Sequence, residues 1–232
     1  MAPENFAKSA VRRLNIIGCG RAAGSLARLW LQADALSVRD VLNRSPSSSA
    51  RAVRHIGAGR VAESIGAMQP ADGWLIGTGD DQINDVATAL AGSHTDLSGA
   101  LVFHLAGRFG LEVLAPLAGQ GARLAALHPV RSLTSDRLSL EDFSGTACVA
   151  EGSEEALGRL EPLVNSIGGL WLPVHSIERG LYHAAVSIVS NVTKAVAWKA
   201  QNWLEHAGLP ENTGAAVTHQ LLGSTVEDLA RS

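Results

Sequence analysis

Leu14-Asn-Ile-Ile-Gly-Cys-Gly-Arg-Ala-Ala-Gly-Ser-Leu-Ala-Arg28 reads as an apolar strand, a glycine turn and a helix in direct succession. Gly18, Gly20 and Ala23 give the spacing GxGxxA. That spacing sets bare backbone N–H groups and a helix N-terminus where a pyrophosphate can sit. Gly18 permits the tight turn. Gly20 removes the side chain that would strike the phosphates. Ala23 lets the helix lie close to the strand. In isolation the pattern is weak, because short glycine patterns recur by chance. Its place at the first strand, with a second strand following at βαβ distance, strengthens it.

Strand-like and helix-like segments alternate outward from this turn, to about Leu172. A helix is expected over Arg21 to Leu31 and a strand over Val38 to Asn43. Pro46 is well placed to open the next helix. Further strands are expected at Trp74–Thr78, Leu101–Phe103, Arg123–Leu127, Thr146–Ala150 and Leu170–Leu172, with a helix from about Ser153 to Ile167. Asp80 is placed to cap the helix that runs through Leu90. From Ile177 to His206 there is no turn signal, so one long helix is expected, ended by Gly208-Leu-Pro210 and followed by a last helix over Thr213 to Ala230. The pattern implies an α/β domain with a doubly wound parallel sheet over residues 1–175, followed by a small all-helical domain over 176–232. Ligands of such a sheet bind beyond the carboxyl ends of its strands.

The 232 residues, 46% hydrophobic and 18% charged, suit a globular chain of one large domain or a domain plus a smaller one. A net charge of −3 with no basic stripe argues against a nucleic-acid partner. No apolar run approaches the roughly 20 residues of a membrane helix. Met1 to Arg13 lacks a signal-peptide core, and Cys19 and Cys148 suggest no disulfide framework. A cytoplasmic protein acting on a small molecule is expected.

A site for NAD would place Asp or Glu at the tip of the second strand, about 20 residues beyond the glycines. Here the tip is Asn43-Arg44-Ser45, and Asp40 falls in mid-strand, too early. Arg44 suits a 2′-phosphate in a fork geometry and Ser45 adds a donor, which favours NADP. S-adenosylmethionine would want an acid at this tip, so the basic tip disfavours it.

His104 and His128 both fall at predicted strand ends, where a parallel sheet builds its site. His183, Ser187 and Asn191 recur at i, i+4 and i+8 on the long helix, on one face. The opposite face, with Leu181, Ala185, Ile188, Val192 and Val196, reads as a core stripe. His183 suits a general acid or base, with Asn191 and Ser187 orienting a polar group of the substrate. The same spacing equally fits a solvated helix face, and a strand-end histidine equally fits a backbone cap. The three histidines match no tight metal-ligand spacing. Cys19 reads as a small-residue position of the turn and not as a nucleophile.

The segments IGCGRAAGSLARLW, NRSPSSSA, GTGDDQINDVATAL, FHLAG, LHPVRSL and ERGLYHAAVSIVSN together resemble the bacterial Rossmann-like proteins that carry a helical C-terminal domain of unknown function. These belong to the 6-phosphogluconate dehydrogenase-like superfamily, with pyrroline-5-carboxylate reductase, ketopantoate reductase and 3-hydroxyisobutyrate dehydrogenase as relatives. The resemblance implies an NADP-dependent oxidoreductase acting on a small carbonyl, imine or hydroxyl substrate, and a homodimer formed through the helical domain. It implies that Gly18, Cys19, Gly20, Arg21, Ala22 and Ala23 hold the diphosphate, and that Asn43, Arg44 and Ser45 meet the ribose phosphate. Thr78, Gly79 and Asp80 would line the nicotinamide-ribose side, with His104, His128, His183 and Asn191 near the cleft. Two departures stand out. The family's helix lysine falls near Ser187 here, with Lys194 on the wrong side of Asn191. Leu105 and Ala106 replace the hydroxyl-bearing pair after the first histidine. The resemblance also implies more C-terminal helix than the chain carries. A nucleotide-binding sensor or scaffold without turnover is therefore the alternative reading.

Overall fold

The computed structural model describes residues 11–133 and 138–231. Strand β1 (Arg13–Ile17) sends Ile16 into the core of one sheet face and Ile17 into the other, as the two-residue strand period requires. After it come α1 (Arg21–Gln32), β2 (Ser37–Leu42), α2 (Pro46–Ile56), β3 (Arg60–Val61), β4 (Gly73–Ile76), α3 (Ile83–Ala91), β5 (Leu101–His104), β6 (Arg123–Pro129), α4 (Leu140–Phe143), β7 (Ala147–Gly152), α5 (Glu154–Ser166) and β8 (Leu170–Val174). They form one eight-stranded sheet in the order β3-β2-β1-β4-β5-β6-β7-β8.

All neighbouring strands are parallel except β6 and β7. The doubly wound parallel sheet expected from the sequence is observed, with this one antiparallel pair as the exception. Among the described residues only the one-turn α4 lies between them, with no long crossover helix, and β7 runs back along β6. The winding direction reverses between β1 and β4, which puts the ligand crevice of such a sheet at their carboxyl ends.

Each sheet face has its own core. Trp30 of α1, Phe103 of β5 and Leu160 of α5 pack on one face, and Trp74, Ile76, Ile83 and Leu90 on the other. Burying side chains of this size contributes about 1.5–3 kcal/mol each. Trp30 stacks edge-on against Phe103 at 6.2 Å and donates its Nε1–H to the Leu163 carbonyl at 2.9 Å. At α2, Ser45 caps the helix in a reciprocal bond pattern with Ser48, Pro46 takes the first turn, and Gly57 closes the helix at φ +86°. Asp80 does not cap α3. It opens a 3-10 turn, Asp80–Gln82, and α3 begins after it with no side-chain cap. The two acids Asp80 and Asp81 still favour that end through the helix dipole.

The chain divides into two compact units, Met1–Arg179 and Gly180–Ser232. The helical run begins at Arg179 as α6 (Arg179–Ser187), passes through a π-helical turn at Ile188–Val192, and continues as α7 (Thr193–His206) and then α8 (Thr213–Leu229). In the second unit Gly214 of α8 packs so close to α7 that a Cβ there would lie 2.6 Å from the Gln201 carbonyl oxygen. The stripe Leu181, Ala185, Ile188, Val192 and Val196 is not a core stripe: all five residues are exposed. The three helices and one π turn of this unit supply too little surface to cover it. Among the described residues no helix is long and apolar enough to cross a membrane.

Candidate functional site

Gly18 ends β1 at φ +80°, and its N–H donates to the Leu42 carbonyl at 2.8 Å. A Cβ at Gly18 would sit 2.2 Å from Thr78 Cγ2 and 2.6 Å from Thr78 N. The residue is therefore fixed as glycine twice, by its dihedral and by the backbone of the loop after β4. Gly77, in that loop, meets Ala23 in the same way, with a Cβ only 2.5 Å from Ala23 Cβ. The small residue at 23 thus brings α1 against the end of β4. Gly20, the N-cap of α1, is different. A Cβ there would meet only the Gly77 carbonyl at 3.7 Å, so the space above it is open. The first turn of α1 has no side-chain cap and no acid. Its N–H groups point into the crevice as an uncompensated positive helix end.

Two cavities meet at this turn and share Gly20 and Arg21. The first, about 400 Å³, lies toward α2 and is lined by Asn43, Ser48, Arg51 and His55. The second, about 420 Å³, lies toward β6 and is lined by Ala22, Thr78, Gly79, Leu105, His128 and Arg131. Among the described residues neither has a carboxylate in its lining. The Thr78 hydroxyl is buried with no partner among the described residues. An open glycine, an uncapped helix end, an orphaned hydroxyl and basic walls fit a phosphate-bearing nucleotide.

The strand-tip residues divide by role. Asn43 accepts the Cys19 N–H at 2.6 Å and donates to the Ser48 carbonyl at 3.1 Å, so its amide clamps the glycine turn to α2. The Ser45 hydroxyl accepts the Ser48 N–H as the cap of α2. Arg44 is exposed at the tip and lines neither cavity. Arg51 does line one, from the second turn of α2. The sequence reading missed Arg51, although Ser48, Arg51, Ala52 and His55 share one face at i, i+3, i+4 and i+7. Arg131 was missed as well, two residues beyond Pro129. Cys19 is half-buried and burial pushes its thiol up to about 12, so it carries no thiolate near neutral pH.

Asp40 is buried on β2 and held by both forks of Arg60, at 2.7 and 3.0 Å, and by the Gln69 N–H. Burial alone would raise its pKa. The Arg60 hydrogen bonds and the Gln69 N–H outweigh that and hold the carboxyl below the usual carboxylate range. It is occupied and cannot serve a ribose.

The two strand histidines also part. His104 is fully buried. Its Nδ1 accepts the Ala106 N–H at 3.1 Å, which makes Nε2 the protonated nitrogen donating to the Gly110 carbonyl at 2.9 Å. Burial pushes its pKa down. This is a neutral, backbone-satisfied ring that holds the loop after β5. His128 faces the cavity, with its ring over Gly107, where a Cβ would come within 2.6 Å of Cε1. His183 and Ser187 lie on α6, and Asn191 lies in the π turn. That turn breaks the strict i, i+4 register between Ser187 and Asn191, and such turns recur at functional sites. His183 and Asn191 are exposed. Asp80 is exposed beside the crevice without lining it.

A GxGxxA glycine turn at the switch point of a doubly wound sheet defines a dinucleotide-fold protein. The chain belongs to the Rossmann-like domain family, whose model matches residues 2–129. Residues 146–232 match a second family, "Domain of unknown function (DUF2520)", which takes in β7, α5 and β8 as well as the helices. No curated protein matches the sequence. Among solved structures, a Bacteroides fragilis protein provisionally described as an NADP oxidoreductase is 18% identical with a TM-score of 0.76, over 97% of this chain and 82% of that one. A Plasmodium falciparum pyrroline carboxylate reductase with NADP bound is 12% identical with a TM-score of 0.68, over 97% and 80%. A prephenate dehydrogenase from Aquifex aeolicus, in complex with hydroxyphenyl propionate and NAD⁺, is 17% identical with a TM-score of 0.61, over 92% and 78%. At these identities the likeness is one of fold.

Proposed function

We propose that this chain is an NADP-dependent oxidoreductase of the 6-phosphogluconate dehydrogenase-like superfamily, acting on a small carbonyl, imine or hydroxyl compound. The observation that carries this reading is the open Gly20 and uncapped α1 end between two cavities with basic walls and, among the described residues, no carboxylate. Of the similar structures described above, one holds NADP and another NAD⁺, so a pyridine nucleotide is what those two share. The choice of NADP rests on this chain's own residues. Asp40 is occupied by Arg60, and Arg44 and Arg51 offer guanidinium groups near the tip of β2.

The nicotinamide, when bound, supplies the hydride chemistry. The protein's part is to orient it and to move a proton. The α1 N-terminus and Arg21 hold the diphosphate. Thr78 and Gly79 border the ribose beyond it. His128 lines the cavity from the first unit, and imidazole is the side chain suited to proton transfer near neutral pH. His183 and Asn191 are the corresponding groups of the second unit. The exposed apolar residues of that unit, among them Val189, Trp198 and Trp203, support a homodimer.

Binding without turnover is the second reading. It is favoured by the apolar Leu105 and Ala106 after His104 and by Ser187 where relatives place a lysine. NADPH oxidation at 340 nm across 2-oxo acids, aldehydes and cyclic imines separates the two. Turnover of one compound, lowered in His128→Phe or in His183→Ala, is expected. NADPH that binds but is never oxidised selects the binding-only reading.

A further inference from the structure

We propose that the Glu151–Arg179 ion pair positions His128, acting through the loop Leu105–Gly110; this rests on the reading of the His128 cavity as the reaction site. Both charged groups are largely buried, their side chains 19% and 14% exposed. They do not touch the cavity. They enclose Gly110. A Cβ at that residue would lie 2.8 Å from Glu112 Oε2, 3.2 Å from Glu151 Oε2 and 3.5 Å from Arg179 Nε. Two carboxylates therefore crowd one backbone position, and Arg179 is the cation that makes this tolerable.

From Gly110 the contacts run back to His128. The Gly110 N–H donates to Glu112 Oε1 at 2.9 Å, and its carbonyl accepts from His104 Nε2. His104 Nδ1 accepts the Ala106 N–H, so one buried ring ties both ends of the loop. Gly107, between those ends, lies directly against the His128 ring, with no room for a methyl group. Glu151 and His128 also sit on the same face of the antiparallel β6–β7 pair, since Ala126 opposes Glu151 and His128 opposes Val149. Diagonal neighbours of this kind lie about 7–8 Å apart. The positive charge of Arg179 helps keep His104 neutral, while Glu112 and Asp80 act the other way. A protonated His104 has no lone pair for the Ala106 N–H. Losing Arg179 thus loosens the loop in two ways: it frees the carboxylates around Gly110 and it favours the wrong state of His104.

The test is a histidine NMR titration of the full chain, with the His128 ring signal assigned by its loss in His128→Gln. In Arg179→Met the His128 signal shifts and its midpoint rises, because two carboxylates lose their counter-ion. Arg179→Lys keeps the charge and restores most of the wild-type titration. Glu151→Gln keeps the side-chain volume and is the second probe if Arg179→Met does not fold; it too shifts the His128 signal. NADPH affinity stays within about twofold in all three, because the glycine turn shares no partner with the pair. A His128 signal and midpoint unchanged in folded Arg179→Met or Glu151→Gln overturns the proposal. Loss of NADPH binding in the wild type overturns the oxidoreductase reading and leaves the titration result standing by itself.

Discussion

Replacing Gly18 and Gly20 singly by alanine separates folding from nucleotide binding. At Gly18 a methyl group faces two penalties. The dihedral of +80° costs a non-glycine residue about 1–2 kcal/mol. The contact at 2.6 Å with Thr78 N is with backbone, which cannot rotate away, and overpacking of this kind costs about 1–3 kcal/mol. The sum is about 2–5 kcal/mol, or roughly 4–20 °C in Tm for a chain of this length. At Gly20 the dihedral is ordinary, φ −78°, and the nearest atom is 3.7 Å away. The fold loses under about 1 kcal/mol, the difference between glycine and alanine at an N-cap. The new methyl instead stands where the diphosphate approaches. Losing one charge-assisted hydrogen bond costs about 1.5–3 kcal/mol, which is about ten- to hundredfold in Kd. Thermal melts by circular dichroism and NADPH fluorescence titrations read the two effects. A Gly20→Ala protein that binds NADPH like the wild type, or a Gly18→Ala protein that melts with it, refutes the assignment of roles within the turn.

Arg51→Ala should weaken NADPH by about ten- to hundredfold and leave NADH unchanged, since a guanidinium–phosphate contact is worth about 1.5–3 kcal/mol; Arg44→Ala should follow the same pattern, and equal losses for both nucleotides in paired titrations would remove the NADP assignment. His104→Phe should cost about 1–3 kcal/mol in urea unfolding, because the Ala106 N–H and Gly110 carbonyl lose their partner. Burial holds the folded His104 below the ordinary histidine value, so the unfolded chain takes up the proton first. Wild-type stability from this group is complete above about pH 6.5 and falls as the pH drops toward the folded value, a slope the variant should lack. Asp40→Asn should cost about 1–3 kcal/mol at pH 7, toward the low end because Arg60 is half-exposed. The folded Asp40 carboxyl lies below its unfolded value, so its contribution is present above about pH 4 and lost as pH falls through the folded value. Melts of both proteins should therefore converge toward pH 3.

Much of the fold was legible because glycine, proline and periodicity act locally. The turn at Gly18, the proline start of α2 and the two-faced strand at Ile16 and Ile17 need no distant partner to be read. The antiparallel β7 was not legible, because strand direction depends on what lies between strands and not on the strand's own pattern. The helix stripe from Leu181 to Val196 shows the limit of periodicity, which finds an apolar face without naming what covers it. Within the site, the glycine turn was read correctly in type but incompletely in partner. Gly18 abuts Thr78, sixty positions further along the chain, a contact that no local spacing announces. Asn43 and Ser45 carry polar groups at the right tip, yet both are engaged with the backbone of α2: the Asn43 amide donates to the Ser48 carbonyl and the Ser45 hydroxyl accepts the Ser48 N–H. Arg51 stood one helix turn further on, on a face the spacing of Ser48 and His55 already marked. His104 and His128 look alike in sequence, one at each strand end. Only burial and the Ala106 and Gly110 bonds tell the loop anchor from the cavity residue.

Isothermal titration calorimetry of the purified chain with NADPH bears most directly on whether the glycine turn holds a dinucleotide. One NADPH per chain, bound at least about tenfold more tightly than NADH through a difference of about 1.4 kcal/mol, is the expected result. Absence of saturable heat with either nucleotide would contradict it, as would tighter binding of NADH.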